Sequence, residues 1–231
     1  MKVPHTVRWL AARWAWQLGL TDPFADCWDP ASRRRIEDLV GRIARCAARE
    51  GIGLFLFWGT LLGQVRQGDI LPWDDDVDLA LFEVPPAAVA ALLAACRVEG
   101  LGAVEIDPGE KIIKIFDPGF TPIPGRSWTW PFVDLFIYRT TPLTGAVPGV
   151  WDGSPPVSPE MVLPGEPVAF AGSDLLLPRQ AGAILDRFYP GWRREERSSS
   201  WNHRLEAEIR FPQSRRIRTH AQGRKIVPGW H

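Results

Sequence analysis

Positions 74–82 read Asp-Asp-Asp-Val-Asp-Leu-Ala-Leu-Phe, with four carboxylates inside five residues leading into an apolar run. Few local structures accept that pattern. Residues 76–82 alternate: Val77, Leu79 and Leu81 share one side, while Asp76, Asp78 and Ala80 share the other. A period of two predicts a strand over Asp76–Phe82, with one face for the core and one presenting acids about 7 Å apart along the chain. Carboxylates this close repel one another and resist ionisation unless a cation compensates. Acids fixed on a rigid strand suit a magnesium ion, which takes carboxylate oxygens together with substrate phosphate and water. A calcium loop fails on residue identity. If Asp74, Asp76 and Asp78 were its first, third and fifth positions, Leu79 would replace the required glycine and Pro85 the terminal glutamate. A solvated acidic turn is the bland alternative, and Trp73 before the acids and three core positions after them oppose it.

The segment upstream supplies a second element. Leu54–Trp58 is a short apolar run between glycines and reads as a buried strand. Gly59-Thr60 then opens a short helix that carries Leu61, Leu62 and Val65 and ends at Gly68. Free backbone N–H groups and a hydroxyl at a helix start make a natural phosphate cradle. A simple capped turn would look the same in sequence. Arg66 ends this helix. Its guanidinium suits a bidentate grip on phosphate, or a salt bridge to Asp69 or Asp74.

Asp134 alternates with Phe132 and Phe136 on a strand predicted over Phe132–Tyr138. A buried aspartate there needs a partner. It completes a three-carboxylate site if this strand lies beside Asp76–Phe82; otherwise an arginine such as Arg126 pairs with it. Lys111 and Lys114 lie on or near a strand predicted over Lys111–Phe116 and offer phosphate contacts. His5, His203, His220 and His231 are all terminal or in the tail. Imidazole general-base chemistry is therefore not expected, and a carboxylate takes that role.

The remaining chain predicts a helix from a Ser32 cap to about Glu50, with Ile36, Leu39, Val40, Ile43 and Ala47 inward. Further helices are expected from Pro85-Pro86 to about Arg97 and over Pro178–Tyr189, with a possible short one at Trp201–Arg210. Ala103–Ile106 reads as a strand. Asp117–Pro131 and Thr140–Glu166 read as loops, the second a surface loop that shapes a pocket. Strand–helix–strand, then a helix, then several strands indicates a mixed α/β domain. We expect one domain over residues 1–231, with its core at about 33–192, an N-terminal helical extension at 1–32 and a basic tail at 193–231.

Apolar residues make up 45% of the 231, enough for a sizeable core. The 27 basic and 27 acidic side chains cancel, so the whole chain has no nucleic-acid signature. From Arg187 onward, however, 11 Lys/Arg face 4 Asp/Glu, a net +7 that leaves the remainder at −7. Three scattered cysteines suggest neither disulfides nor a zinc site, and a reducing cytoplasm is the default. No window supplies the about 20 apolar residues of a membrane span. Val7, Leu10, Ala11, Trp14 and Leu18 share one helical face. That face is expected to pack on the body, with peripheral contact to the inner membrane surface or a partner as the alternative, for the tail as well.

The segment Gly59-Thr60-Leu61-Leu62-Gly63-Gln64-Val65-Arg66-Gln67-Gly68-Asp69-Ile70-Leu71-Pro72-Trp73-Asp74-Asp75-Asp76-Val77-Asp78 resembles the signature of the LicD family, and Phe132-Val133-Asp134-Leu135 is similar to its later acidic strand. The helix from Leu177 is also similar, and the likeness spans roughly residues 33–192. That family includes bacterial phosphorylcholine transferases and fukutin-related ribitol-phosphate transferases. The resemblance implies an α/β nucleotidyltransferase-like fold with a mixed sheet flanked by helices. It also implies Asp76, Asp78 and Asp134 as catalytic metal ligands for Mg²⁺ or Mn²⁺. Gly59, Thr60, Arg66, Lys111, Lys114 and Asp74 would surround the substrate. The implied reaction moves a phospho-alcohol from a CDP-linked donor to a glycan hydroxyl and releases CMP. A nucleotidylyl transferase and a non-catalytic phosphate-binding module are the alternatives.

Overall fold

The computed structural model describes residues 4–107, 112–139, 156–198, 201–208 and 214–217. Lys111, most of the expected loop at Thr140–Glu166 and the end of the basic tail lie outside the described residues.

Helix α1 spans His5–Gln17. Its apolar face points the opposite way from the expectation. Val7, Leu10, Trp14 and Leu18 are 52%, 44%, 63% and 65% exposed, and Trp9 and Trp16, on the other side, are half-buried. Trp9 and Trp16, not the cleaner stripe, face inward. No helix among the described residues is long and apolar enough to cross a membrane.

Helix α2 spans Pro30–Arg49 and starts before the expected Ser32 cap. Asp29 caps it by accepting from the N–H groups of Ala31 and Ser32, both at 2.8 Å. Pro30 fits at the first helical position because its missing N–H would have no partner there. The expected stripe is buried, as are Ser32 and Cys46.

Strand β1 is only Phe55–Leu56, because helix α3 (Trp58–Gln67) starts already at Trp58. Trp58 turns the chain with φ +43°, and Gly68 ends the helix at φ +74°, in the left-handed region that glycine tolerates. Strand β2 follows at Val77–Phe82, then helix α4 at Pro86–Val98, both close to expectation. Strands β3 (Gly102–Asp107), β4 (Ile112–Pro122) and β5 (Thr129–Tyr138) form a meander. The expected loop Asp117–Pro131 therefore shrinks, since both β4 and β5 extend into it.

After the short helix α5 (Pro159–Val162) comes a hairpin that the sequence reading missed, β6 (Glu166–Phe170) and β7 (Ser173–Leu177). Its turn has Ala171 and Gly172 at φ +49° and +72°, the conformation tight hairpins favour. Helix α6 covers Ala181–Phe188. The last elements are short strands, β8 (Glu195–Arg197), β9 (Trp201–Asn202), β10 (Ala207–Glu208) and β11 (Ser214–Arg216). The possible helix at Trp201–Arg210 is instead the β9–β10 hairpin. Tertiary anchors override helix propensity there. Asn202 Oδ1 accepts from the Leu205 N–H at 2.9 Å, and Glu206 accepts from the indoles of Trp128 and Trp201.

Seven strands form one mixed sheet in the order β3-β4-β5-β2-β1-β7-β6. β2 is central, parallel to β5 and antiparallel to β1. Helix α2 lies against β4, β5, β7 and α4, and α3 packs on β2 and α6. Leu79, Leu81, Ile36, Leu39 and Ile43 are fully buried between these layers. Each such side chain contributes about 1.5–3 kcal/mol of transfer free energy. All six residues of β2 are buried, so its acid-bearing face is covered as well.

Candidate metal centre

Sheet register assembles the acids. In the parallel β2–β5 ladder Asp78 lies directly opposite Asp134. Asp76 precedes β2 by one residue, and carboxylate oxygens of Asp76, Asp78 and Asp134 lie within 4.8 Å of one another. Their residues are 3%, 9% and 6% exposed, so water does little to separate their charges. The loop before β2 is pinned from outside. The Trp28 indole donates to the Asp74 carbonyl at 2.7 Å and the Trp130 indole to the Asp75 carbonyl at 2.6 Å, and the two rings stack at 5.3 Å.

The Gly59-Thr60 turn faces the acids and engages the protein itself. The Gly59 N–H donates to Asp78 Oδ2 at 3.1 Å, and the Asp78 N–H donates to Thr60 Oγ1 at 2.7 Å. The turn thus fixes the central carboxylate. A Cβ on Gly59 would sit 2.3 Å from Asp74 Oδ2 and 3.1 Å from its Cγ. Helix propensity alone would favour Gly59→Ala by about 1 kcal/mol. The clash displaces a buried carboxylate beside the metal ligands and outweighs that gain, since misplacement by about 1 Å costs about 100-fold in rate. We expect Gly59→Ala to lower kcat by about that factor. Steady-state kinetics on a protein of unchanged circular dichroism checks this.

Burial raises the carboxyl pKa values at Asp74, Asp75, Asp78 and Asp134, and neighbouring acids add to the rise. At Asp78 those neighbours are Asp76, Asp74 and Asp134, against the opposing Gly59 N–H. Asp76 is raised by burial to about 6, with Lys114 opposing. Lys114 Nζ lies 2.9 Å from both oxygens of Asp134 and 3.6 Å from the Phe132 ring centroid. This ammonium opposes the rise at Asp134 and Asp76. Asp74 Oδ2 and Asp76 Oδ2 are buried with no hydrogen-bond partner. Hard oxygen donors, unpartnered and charge-frustrated, fit a divalent cation.

These shifts have a pH consequence. An aspartate whose folded pKa is raised stabilises the fold fully below its unfolded pKa, about 4, and that contribution is lost as pH rises through the folded value. For Asp76 the window is about pH 4–6, and Asp74 and Asp78 extend it upward. Metal-free protein is expected to lose Tm between about pH 5 and 7.5, and Mn²⁺ to raise Tm more at the upper value. Equal Mn²⁺ increments at both pH values would contradict this.

Other predicted residues stand elsewhere. Arg66 does not meet Asp69 or Asp74; its guanidinium donates to the carbonyls of Trp192 and Glu195 and ties α3 to the chain after α6. It is therefore not placed to grip phosphate at the acids. Lys114 lines the cavity, as its partner Asp134 does, and Arg126 instead stacks over Trp128 at 5.3 Å. Asp74 lines the cavity beside Gly59.

The sequence reading discounted histidine, and here the structure corrects it. The β9–β10 turn brings His203 Nε2 to 3.3 Å from Asp76 Oδ2. Burial, with Lys114 nearby, pushes the His203 pKa down, against Asp75 and Asp134. Glu206, Trp201 and Ser198 enter with it. Only the tertiary path of the tail reveals these residues, because more than 120 positions separate His203 from Asp76.

The acids sit in a cavity of about 750 Å³ walled by Trp58, Trp73, Phe136, Tyr189 and Trp201. Trp58 stacks on Phe188 at 4.3 Å, which fixes that wall.

A mixed sheet that aligns acids from two neighbouring strands opposite a glycine-bearing helix start defines a nucleotidyltransferase-like α/β fold. Residues 51–180 match the LicD/FKTN/FKRP nucleotidyltransferase domain, more than half of the 231 residues, and the chain belongs to this family. No curated protein matches the chain. Among solved structures, the crystal structure of ANT(2")-Ia in complex with adenylyl-2"-tobramycin is similar, at 17% identity and a TM-score of 0.43, over 67% of this chain and 75% of that one.

Proposed function

We propose that the protein transfers a phospho-alcohol unit from a CDP-linked donor to a sugar hydroxyl of a glycan and releases CMP. The observation that carries the reading is the Asp76–Asp78–Asp134 cluster at the base of a cavity large enough for a nucleotide-linked donor, in a chain of this family. A divalent cation held by the three aspartates would neutralise charge on the diphosphate and on the CMP that leaves. The hydroxyl oxygen attacks the phosphorus that bears the alcohol. The new P–O bond forms as the bond to the bridging oxygen breaks, and that oxygen leaves with CMP. Asp134, its carboxyl pKa raised by burial, accepts the hydroxyl proton.

The cavity wall ranks the donors. Five aromatic side chains above several carboxylates favour a quaternary ammonium through cation–π and charge attraction. CDP-choline is therefore expected to outperform CDP-ribitol.

The test incubates the full chain with Mg²⁺ or Mn²⁺, an oligosaccharide extract as acceptor, and CDP-choline, CDP-ribitol, ATP or UTP labelled in either half. CMP release with the alcohol label in glycan supports the proposal. Nucleotide label in the acceptor would replace it with nucleotidylyl transfer.

A further inference from the structure

The three-aspartate cluster does not account for every polar group of the site. Asp76 carries two carboxylate oxygens, and its buried Oδ2, without a hydrogen-bond partner, faces the His203 ring. Asp75 approaches as well: one donor atom each from Asp75, Asp76 and His203 lies within 4.8 Å of the other two. We propose that these residues form a second divalent-cation site, beside the first and sharing Asp76 with it. The inference rests on the reading of Asp76, Asp78 and Asp134 as a metal centre.

Geometry supports it. Two donors on one ion at about 2.1 Å, in tetrahedral or octahedral arrangement, lie roughly 3.0–3.4 Å apart. His203 Nε2 and Asp76 Oδ2 are 3.3 Å apart but lack the alignment of a hydrogen bond. This pair, spaced like two ligands and not aligned like donor and acceptor, suits an ion between them.

The donors are also held in place. The His203 ring stands edge-on to Phe132 at 5.6 Å between centroids. Asp75 Oδ2 accepts the Arg204 N–H at 3.0 Å, which couples the acid loop to the turn that carries His203 and leaves the other Asp75 oxygen for an ion. Trp130 fixes the Asp75 backbone from below.

The donor set differs in kind from the first site. An imidazole nitrogen with two carboxylates suits Mn²⁺, Co²⁺ or Zn²⁺ better than Mg²⁺. The site also joins the loop before β2, inside the family domain, to the C-terminal hairpin, since residue 203 lies beyond the matched span of 51–180. Occupancy would lock that hairpin over the cavity.

The experiment uses untagged full-length protein and Mn²⁺ alone, read by pulsed electron paramagnetic resonance. Bound Mn²⁺ is expected to show nitrogen-14 modulation from a directly coordinated imidazole. His203→Gln is expected to abolish it and to lower the bound Mn²⁺ from two per chain to one. Mn²⁺ bound without imidazole nitrogen in the wild type, or modulation unchanged in His203→Gln, overturns the second site and leaves the three-aspartate reading standing. No Mn²⁺ binding at all overturns both. The wild-type spectrum decides by itself if His203→Gln fails to fold.

Discussion

Asp78→Asn is expected to reduce transfer by at least about 1,000-fold, and at the same time to make the metal-free protein more stable. The two effects share one cause. Asp78 is buried among Asp74, Asp76 and Asp134, and its charge is unfavourable until a cation arrives. An asparagine keeps the shape and can still accept the Gly59 N–H, so the clamp on the α3 start survives. It removes one negative charge from an under-compensated cluster. In a chain of this size about 1 kcal/mol corresponds to roughly 2–4 °C, and we expect a gain of that order at neutral pH. At 100 times the Kd of the three-aspartate site for Mn²⁺, that site should add about 2.7 kcal/mol in the wild type, and the variant should lack this share. Thermal shift with and without Mn²⁺, alongside the CMP-release assay, measures both. A variant that loses activity and also metal-free stability would mean that Asp78 is structural.

Lys114→Met is expected to give the largest loss of stability. The side chains of Lys114 and Asp134 are 5% and 8% exposed, and the ammonium meets both carboxylate oxygens. Removing it leaves a buried carboxylate near Asp76 and Asp78, a change that costs about 3–5 kcal/mol in comparable pairs. That corresponds to a fall in Tm of roughly 10 °C. The cost should shrink as pH falls, because burial raises the Asp134 carboxyl pKa and the carboxylate left without its ammonium takes up a proton. Lys114→Met/Asp134→Leu should recover most of the Tm without recovering activity, because a well-packed apolar pair replaces a buried ion pair at little cost. Equal Tm for wild type and Lys114→Met would show that the bridge contributes nothing.

The local part of the site was legible in sequence. Strand alternation separated Val77, Leu79 and Leu81 from Asp76 and Asp78, and Asp134 between Phe132 and Phe136 announced a buried acid. These are period-two signals within one strand. Their pairing across β2 and β5 needed the resemblance, because parallel register has no local signature. Partner choice was not legible. The sequence offers Arg66 a phosphate grip or a bridge to Asp69 or Asp74, and it instead ties down the Trp192 and Glu195 carbonyls more than 120 residues away. Lys114, a weak phosphate contact in sequence, is the counter-ion of Asp134. The β6–β7 hairpin was missed because its strands are short and its turn falls on Ala171-Gly172, a weaker signal than Asn-Gly. The β9–β10 hairpin, and His203 with it, escaped because anchors from Trp128 and Asp75 decide its shape.

Calorimetric titration of Mn²⁺ in the presence of CDP tests most directly whether Asp76, Asp78 and Asp134 hold a divalent cation. Wild-type protein should bind Mn²⁺, and Asp76→Asn/Asp78→Asn should lose that binding while keeping its fold. Equal Mn²⁺ binding by the two proteins would contradict the metal centre and the phosphotransfer built on it.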